Sequence, residues 1–210
     1  ITRWAALSTL PDILGAAAGP LPAPPAPVPD PAHVSGWAEA LARRLPEGRR
    51  RIGLAWRGSD LAAGVEGPGH GPATVRAWPL AAARPLAEVE DVAMLALEPP
   101  GAGLEQVTAC GFRVFGAGND KQVDDLAAAI LACDLVVTLD SFVAHLAGSL
   151  GVRTWLALPF SCDWRWGLTS ESTPWYPSMR LFRQVRPGDW STVFAEMAAE
   201  LRGLVACRPS

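Results

Sequence analysis

From residue 51 onward, short runs of consecutive apolar residues alternate with amphipathic stretches, and this rhythm confines the chain to very few folds. Ile52 to Trp56, Val92 to Leu97, Phe112 to Phe115, Leu135 to Leu139 and Thr154 to Leu158 read as strands. Leu80 to Val89, Leu104 to Cys110, Val123 to Ala132 and Phe142 to Leu150 read as the helices between them. Strands separated by single helices require crossover connections and a parallel sheet. The unbroken apolar character of each strand fits a sheet that meets water on neither face. The expected class is α/β, a Rossmann-like open parallel sheet with helices on both faces. Residues 159–180, rich in Trp, Pro and Ser, interrupt the rhythm, and Trp190 to Val205 reads as a closing amphipathic helix. No internal repeat of 20–50 residues is visible.

Upstream of this unit, residues 20–31 carry proline at nearly every second position. Proline fixes φ and removes amide donors, so this stretch is expected to be a stiff linker. Residues 1–19 are too few to bury a core alone and are expected to be the remnant of an upstream domain of a longer protein. The expected division is therefore a remnant over 1–19, a linker over 20–31, the Rossmann-like domain over 32–205 and a tail over 206–210. At the linker's end, Asp30 can cap a helix with Pro31 in its first turn. Val34, Trp37, Ala38, Leu41 and Leu45 then keep helical spacing until Pro46 and Gly48.

Composition removes several function classes. Eighteen basic against 21 acidic residues give a net charge of −3, so no chain-wide positive field exists to hold nucleic acid. The apolar runs are far shorter than the roughly 20 residues of a bilayer-spanning helix, so no membrane span is expected. Cys110, Cys133, Cys162 and Cys207 form no CxxC pair and lack the density of a secreted disulfide scaffold. They are expected to be reduced, in a cytoplasmic protein. Lys121 is the sole lysine, which confines Schiff-base chemistry to that position.

An open parallel sheet binds ligands outside the carboxyl ends of its strands, which limits the search to residues 57–78, 98–103, 116–122, 140–145 and 159–180. The most informative segment runs from Leu135 to Gly151. A buried strand passes directly into Asp140 and Ser141, where a helix begins, so unpaired amides and the positive end of the helix dipole meet at the strand's exit. That is the geometry of an anion site. His145 lies one turn further along the same helical face. A second reading stays open, in which Asp140 caps the helix and His145 packs between helix and sheet. Gly148 and Gly151 are expected to permit close packing and to end the helix.

Val137-Thr-Leu-Asp-Ser-Phe-Val-Ala-His-Leu-Ala-Gly-Ser-Leu-Gly151 resembles the D-[ST]-x-x-x-H-L-A-G-A-L-G signature of heptosyltransferase-like enzymes, glycosyltransferase family 9. It is most similar to the related domain found after tetratricopeptide repeats in many bacterial proteins. Ile52-Gly-Leu-Ala-Trp-Arg-Gly58, Pro159-Phe-Ser-Cys-Asp-Trp-Arg-Trp166 and Pro174-Trp-Tyr-Pro-Ser-Met-Arg-Leu-Phe-Arg-Gln184 agree in the same order, as does the Pro-Val-Pro stretch before the first helix. The resemblance is collinear over most of residues 20–205. It implies the C-terminal half of a GT-B fold, two Rossmann-like domains facing a cleft. That half would hold a nucleotide-diphosphate sugar as donor substrate, with no further cofactor and no obligatory metal. The amides near Asp140, Ser141 and Phe142 would face the diphosphate, which needs stabilisation as it becomes the leaving group. His145 would support the phosphates or the sugar. Arg57 and Arg76 would add basic contacts, and Glu98 would accept from a ribose diol. The implied partners are an acceptor glycan, lipid or protein, and an upstream N-terminal domain or repeats of the same chain. The general base would come from that upstream domain.

Other readings remain beside this one. Arg57 can be an ordinary surface arginine and Glu98 a solvated or capping carboxylate. The stretch from Ser59 to Thr74 has gained glycine and lost the basic charge usual after W-x-G in such enzymes. This keeps open a binding or scaffold module derived from a transferase and without turnover. Gly67-Pro-Gly-His-Gly71 lacks the lysine and the strand-turn-helix setting of a P-loop and reads as a flexible loop, which would hold a base poorly, so His70 is expected to face solvent and not to be catalytic. A nicotinamide-dependent oxidoreductase is disfavoured because no GxGxxG follows the first strand. Trp164, Trp166, Trp175 and Tyr176 either stack a base or sugar, line an interdomain cleft, or pin their own loop to the core. Cys162 has no base beside it in the sequence. Asp120, Asp124 and Asp125 are expected to complement a helix dipole and not to bind metal.

Overall fold

Every residue of β2 (Val92–Ala96), β3 (Leu135–Thr138) and β4 (Thr154–Leu158) is buried, which a strand achieves only when both faces of its sheet are covered. The computed structural model describes residues 25, 27–45, 48–57, 77–97 and 123–207. With β1 (Arg50–Leu54) and β5 (Met179–Arg183), these strands form one parallel sheet in the order β2-β1-β3-β4-β5. The expected α/β class and parallel sheet are therefore observed.

Alternation along each strand sorts the side chains to two faces. Ile52, Leu54, Met94, Val137, Trp155 and Phe182 point to one side, against α5 (Trp190–Ala206) through Val193, Phe194, Met197 and Leu201. Phe194 is fully buried and lies 4.6 Å from Trp78, centroid to centroid. The intervening residues Ala55, Leu95 and Val136 face the opposite side. There they meet Leu41 of α1 (Pro31–Arg44), Ile130 of α3 (Val123–Leu131) and Leu146 of α4 (Phe142–Ser149). Asp30 caps α1 by accepting from the amide of Ala32 at 2.8 Å, as its position before proline suggested. Pro31 is the first residue of that helix, where its fixed φ suits the helix and its missing amide costs nothing. Trp37 of α1 donates its indole N–H to Asp125 of α3 at 2.7 Å, a tie between helices where the sequence suggested only dipole complementarity.

Two expectations are corrected. The helix expected over Leu80 to Val89 is a 3-10 turn, Leu80–Ala83, followed by one short α-turn, α2 (Arg84–Ala87). Pro85 supplies no amide for an i−4 bond, so a longer regular helix cannot run through it. The segment expected to be irregular up to residue 180 instead leads into β5, whose apolar run is broken by the half-buried Arg180 and Arg183. This strand borders the sheet. Residues 171–172 lie antiparallel along its outer side, through a bridge between Ser172 and Arg180 and a bond from the Leu181 amide to the Glu171 carbonyl at 2.8 Å. The helix expected over Leu104 to Cys110 and the strand over Phe112 to Phe115 lie outside the described residues. Among the described residues, no helix is long and apolar enough to cross a membrane.

Candidate functional site

The direction of chain progress reverses between β1 and β3. From β1 the chain passes to β2 on one side, whereas β3 pairs with β1 on the other. Ligands of open α/β sheets bind at the carboxyl side of such a switch point. Leu54 is paired with Val137, so Arg57 and Asp140, each three residues further along, leave the sheet at the same level. Arg57 also forms an antiparallel bridge with Ala77. Ser141, Phe142 and His145 follow Asp140 at the start of α4. Arg76 and Glu98 lie outside the described residues.

Ser141 is the N-cap of α4, in extended backbone conformation, and its side chain caps no amide. Its hydroxyl is paired with Thr138 Oγ1 at 3.1 Å. The expected alternative role of Asp140 as the cap is therefore not what the chain adopts. Among the described residues, no side chain closes the first turn of this helix, which leaves its amides directed out of the carboxyl edge of the sheet. The Phe142 side chain stands more than half exposed beside them.

Asp140 and His145 instead belong to a polar cluster. His145 Nε2 lies 3.6 Å from Asp140 Oδ1, and Arg165 Nη2 lies 3.6 Å from Asp140 Oδ2. Arg165 Nε is 3.1 Å from Asp163 Oδ1. The other imidazole nitrogen, Nδ1, is 2.9 Å from the Tyr176 hydroxyl. The ring stacks on Trp166, at 5.6 Å between centroids and 22° between planes. Burial alone would raise the Asp140 pKa. The neighbouring N–H groups of His145 and Trp166 and the Arg165 charge outweigh it, so the carboxyl is held below its ordinary value. Trp166 Nε1 itself is buried and meets no partner at full hydrogen-bonding geometry, so its contribution is that of a nearby dipole. Burial pushes the Tyr176 hydroxyl the other way, above its ordinary value, despite hydrogen bonding from Ser149.

Sequence reading found Asp140, Ser141, Phe142 and His145 together and placed Arg57 beside them, but it missed Arg165 and Tyr176 as members of the cluster. Both sit in the aromatic segments after β4, which were weighed as stacking, cleft-lining or pinning surface. The pinning is real: Asp163 accepts from the Arg165 amide at 3.0 Å, and Trp175 donates its indole N–H to the Arg165 carbonyl at 2.9 Å. Trp166 is buried beneath this turn, whereas Trp164 stays half exposed, edge-on to Trp175 at 6.2 Å. Cys162 Sγ lies 3.0 Å from Arg183 Nη1, a cation and not the base that a nucleophilic thiol would need.

Strand order and the switch point make this a Rossmann-like open α/β sheet, and its fold matches that of GT-B glycosyltransferases. The solved structures that resemble it are of that kind. ADP-heptose lipopolysaccharide heptosyltransferase II of E. coli superposes on 89% of this chain with a TM-score of 0.58 and 20% identity. A family 9 glycosyl transferase of Veillonella parvula superposes on 85% with a TM-score of 0.59 and 17% identity. In sequence, the chain is similar to protein FlbA of Caulobacter vibrioides, 28% identical over 184 residues. It spans 29% of that protein and 56% and 53% of the two solved chains. No family model matches the chain.

Proposed function

We propose that this chain is the donor-binding domain of a glycosyltransferase and holds the diphosphate of a nucleotide sugar at the junction of β3 and α4. The observation that carries this reading is the uncapped amino terminus of α4 at the topological switch point. Outward amides and a helix dipole stabilise an anion there, in the ground state and more strongly as it departs. Arg165, 40% exposed at its side chain and steadied by two carboxylates, supplies a guanidinium suited to bidentate contact with phosphate. Arg57, at the same level of the sheet, adds a second cation, and Arg76 and Glu98 retain the roles that the family resemblance gives them. Transfer would follow attack of an acceptor glycan, lipid or protein on the anomeric carbon, with the base drawn from a neighbouring domain.

Isothermal titration with UDP, ADP and GDP tests the reading. At least one is expected to bind, and Arg165→Ala is expected to weaken it at least tenfold. Absence of heat with all three overturns the reading. A module that binds without turnover is the second interpretation. It is favoured by the stretch from Ser59 to Thr74, which contains Asp60 and Glu66 and no lysine or arginine. Nucleotide binding without sugar transfer, when the flanking domain and candidate acceptors are supplied, distinguishes it.

A further inference from the structure

At the proposed diphosphate site, two carboxylates, Asp140 and Asp163, face one guanidinium, Arg165. With His145 neutral the cluster thus carries a net charge of −1. An incoming diphosphate adds further negative charge, and the group in the cluster that can offset it by taking up a proton is the imidazole.

Its surroundings suit both protonation states. An unprotonated Nε2 would set a lone pair against Asp140 Oδ1 at 3.6 Å, so the neutral ring carries its proton on Nε2 and accepts from Tyr176 at Nδ1. A second proton then enters at Nδ1. The Tyr176 hydroxyl accommodates it by rotating to accept, with Ser149 beside it to receive the displaced hydrogen bond. No heavy atom has to move. Among the described residues, the charged and titratable groups around the ring are Asp140 from the strand exit, Arg165 from the turn after β4 and Tyr176 from the loop before β5. Asp163 acts through Arg165, and Trp166 covers the ring face.

Resting on the diphosphate reading, we infer that Asp140 and Tyr176 are positioning residues for His145, and that donor binding draws one proton from solvent onto its imidazole. His145 then acts on the diphosphate as a fixed positive charge, while Asp140 holds the imidazolium and is itself no ligand of the phosphates.

The test uses the full 210-residue chain with UDP-glucose, ADP-glucose and GDP-glucose, whose diphosphate diesters do not titrate between pH 6 and pH 8.5, so any proton taken up goes to the protein. Titration in buffers of different ionisation enthalpy counts that proton. Uptake of up to one proton per site is expected, with affinity falling by up to about tenfold per pH unit across the range in which the proton is taken up. His145→Gln is expected to abolish the uptake and flatten the pH profile. Asp140→Asn and Tyr176→Phe, which keep shape and ring packing, are expected to reduce the slope by at least half. Binding that is independent of pH, with no proton uptake, overturns the inference and leaves the diphosphate reading standing. Wild-type uptake in both Asp140→Asn and Tyr176→Phe overturns the positioning roles. Failure of every sugar nucleotide to bind overturns the reading and the inference together.

Discussion

A Cβ placed on Gly148 would stand 2.5 Å from Cγ of Tyr176. The glycine of α4 therefore lets the aromatic ring lie flat on the helix, one turn beyond His145, and so fixes the distance at which its hydroxyl meets the imidazole. Because the obstacle is the root of a ring and not the tip of a flexible chain, Gly148→Ala must displace Tyr176. Overpacking of this kind costs about 1–3 kcal/mol. Urea denaturation is expected to show that loss, and the tyrosine environment in near-ultraviolet circular dichroism is expected to change with it.

The indole of Trp37 and the carboxylate of Asp125, 2.7 Å apart, join α1 to α3 across the sheet's second face. Trp37→Phe keeps much of the half-buried ring but deletes the donor, with an expected loss of about 0.5–1.5 kcal/mol. In Asp125→Ala the same substitution should cost much less than it does in the wild type. A double-mutant cycle measured by chemical denaturation checks this, and purely additive losses would refute the tie.

Asp189 begins α5, accepting from the amide and hydroxyl of Thr192 and from the hydroxyl of Ser191. These bonds, the hydroxyls first, lower its carboxyl to about 2. A carboxylate depressed in the folded state stabilises the fold above its ordinary pKa of about 4. That contribution fades as pH falls through about 2. Asp189→Asn is expected to flatten the dependence of the thermal midpoint on pH across this window and to leave its shape above pH 5 unchanged.

Cys133 is buried, and desolvation, aided by the neighbouring Asp134 charge, pushes its thiol up to about 12. Thiolate is the reactive form, so the side chain is inert in the native protein. A short iodoacetamide pulse at pH 8, mapped by mass spectrometry, is expected to label the exposed Cys207 and to spare Cys133 until denaturant is added. Native labelling of Cys133 at the rate of Cys207 would contradict the burial.

The legible portion of the site is the local one. Thr138, Asp140, Ser141 and His145 fall within eight consecutive residues, and a buried strand that turns directly into a helix leaves them little freedom. Arg57 was named through the family resemblance, and the parallel register of β1 and β3 brings its strand exit level with that of Asp140. Arg165 and Tyr176 were not, since their arrival beside Asp140 depends on how a connection of some twenty residues folds between β4 and β5. Tryptophan contacts and side-chain bonds organise that segment, and no periodic pattern announces them. β5 was hidden for a related reason: a border strand shows Arg180 and Arg183 to its surroundings and so loses the apolar continuity by which the central strands declare themselves.

The short antiparallel strap of residues 171–172 has a consequence for behaviour at high concentration. Along Arg180 and Leu181 it occupies backbone groups that a foreign strand would otherwise recruit. Glu171 and Glu200 set acidic charge around Arg180 on the same border. An approaching β-segment thus meets an occupied Leu181 amide and a charged fringe, a natural guard against sheet extension from one molecule into the next.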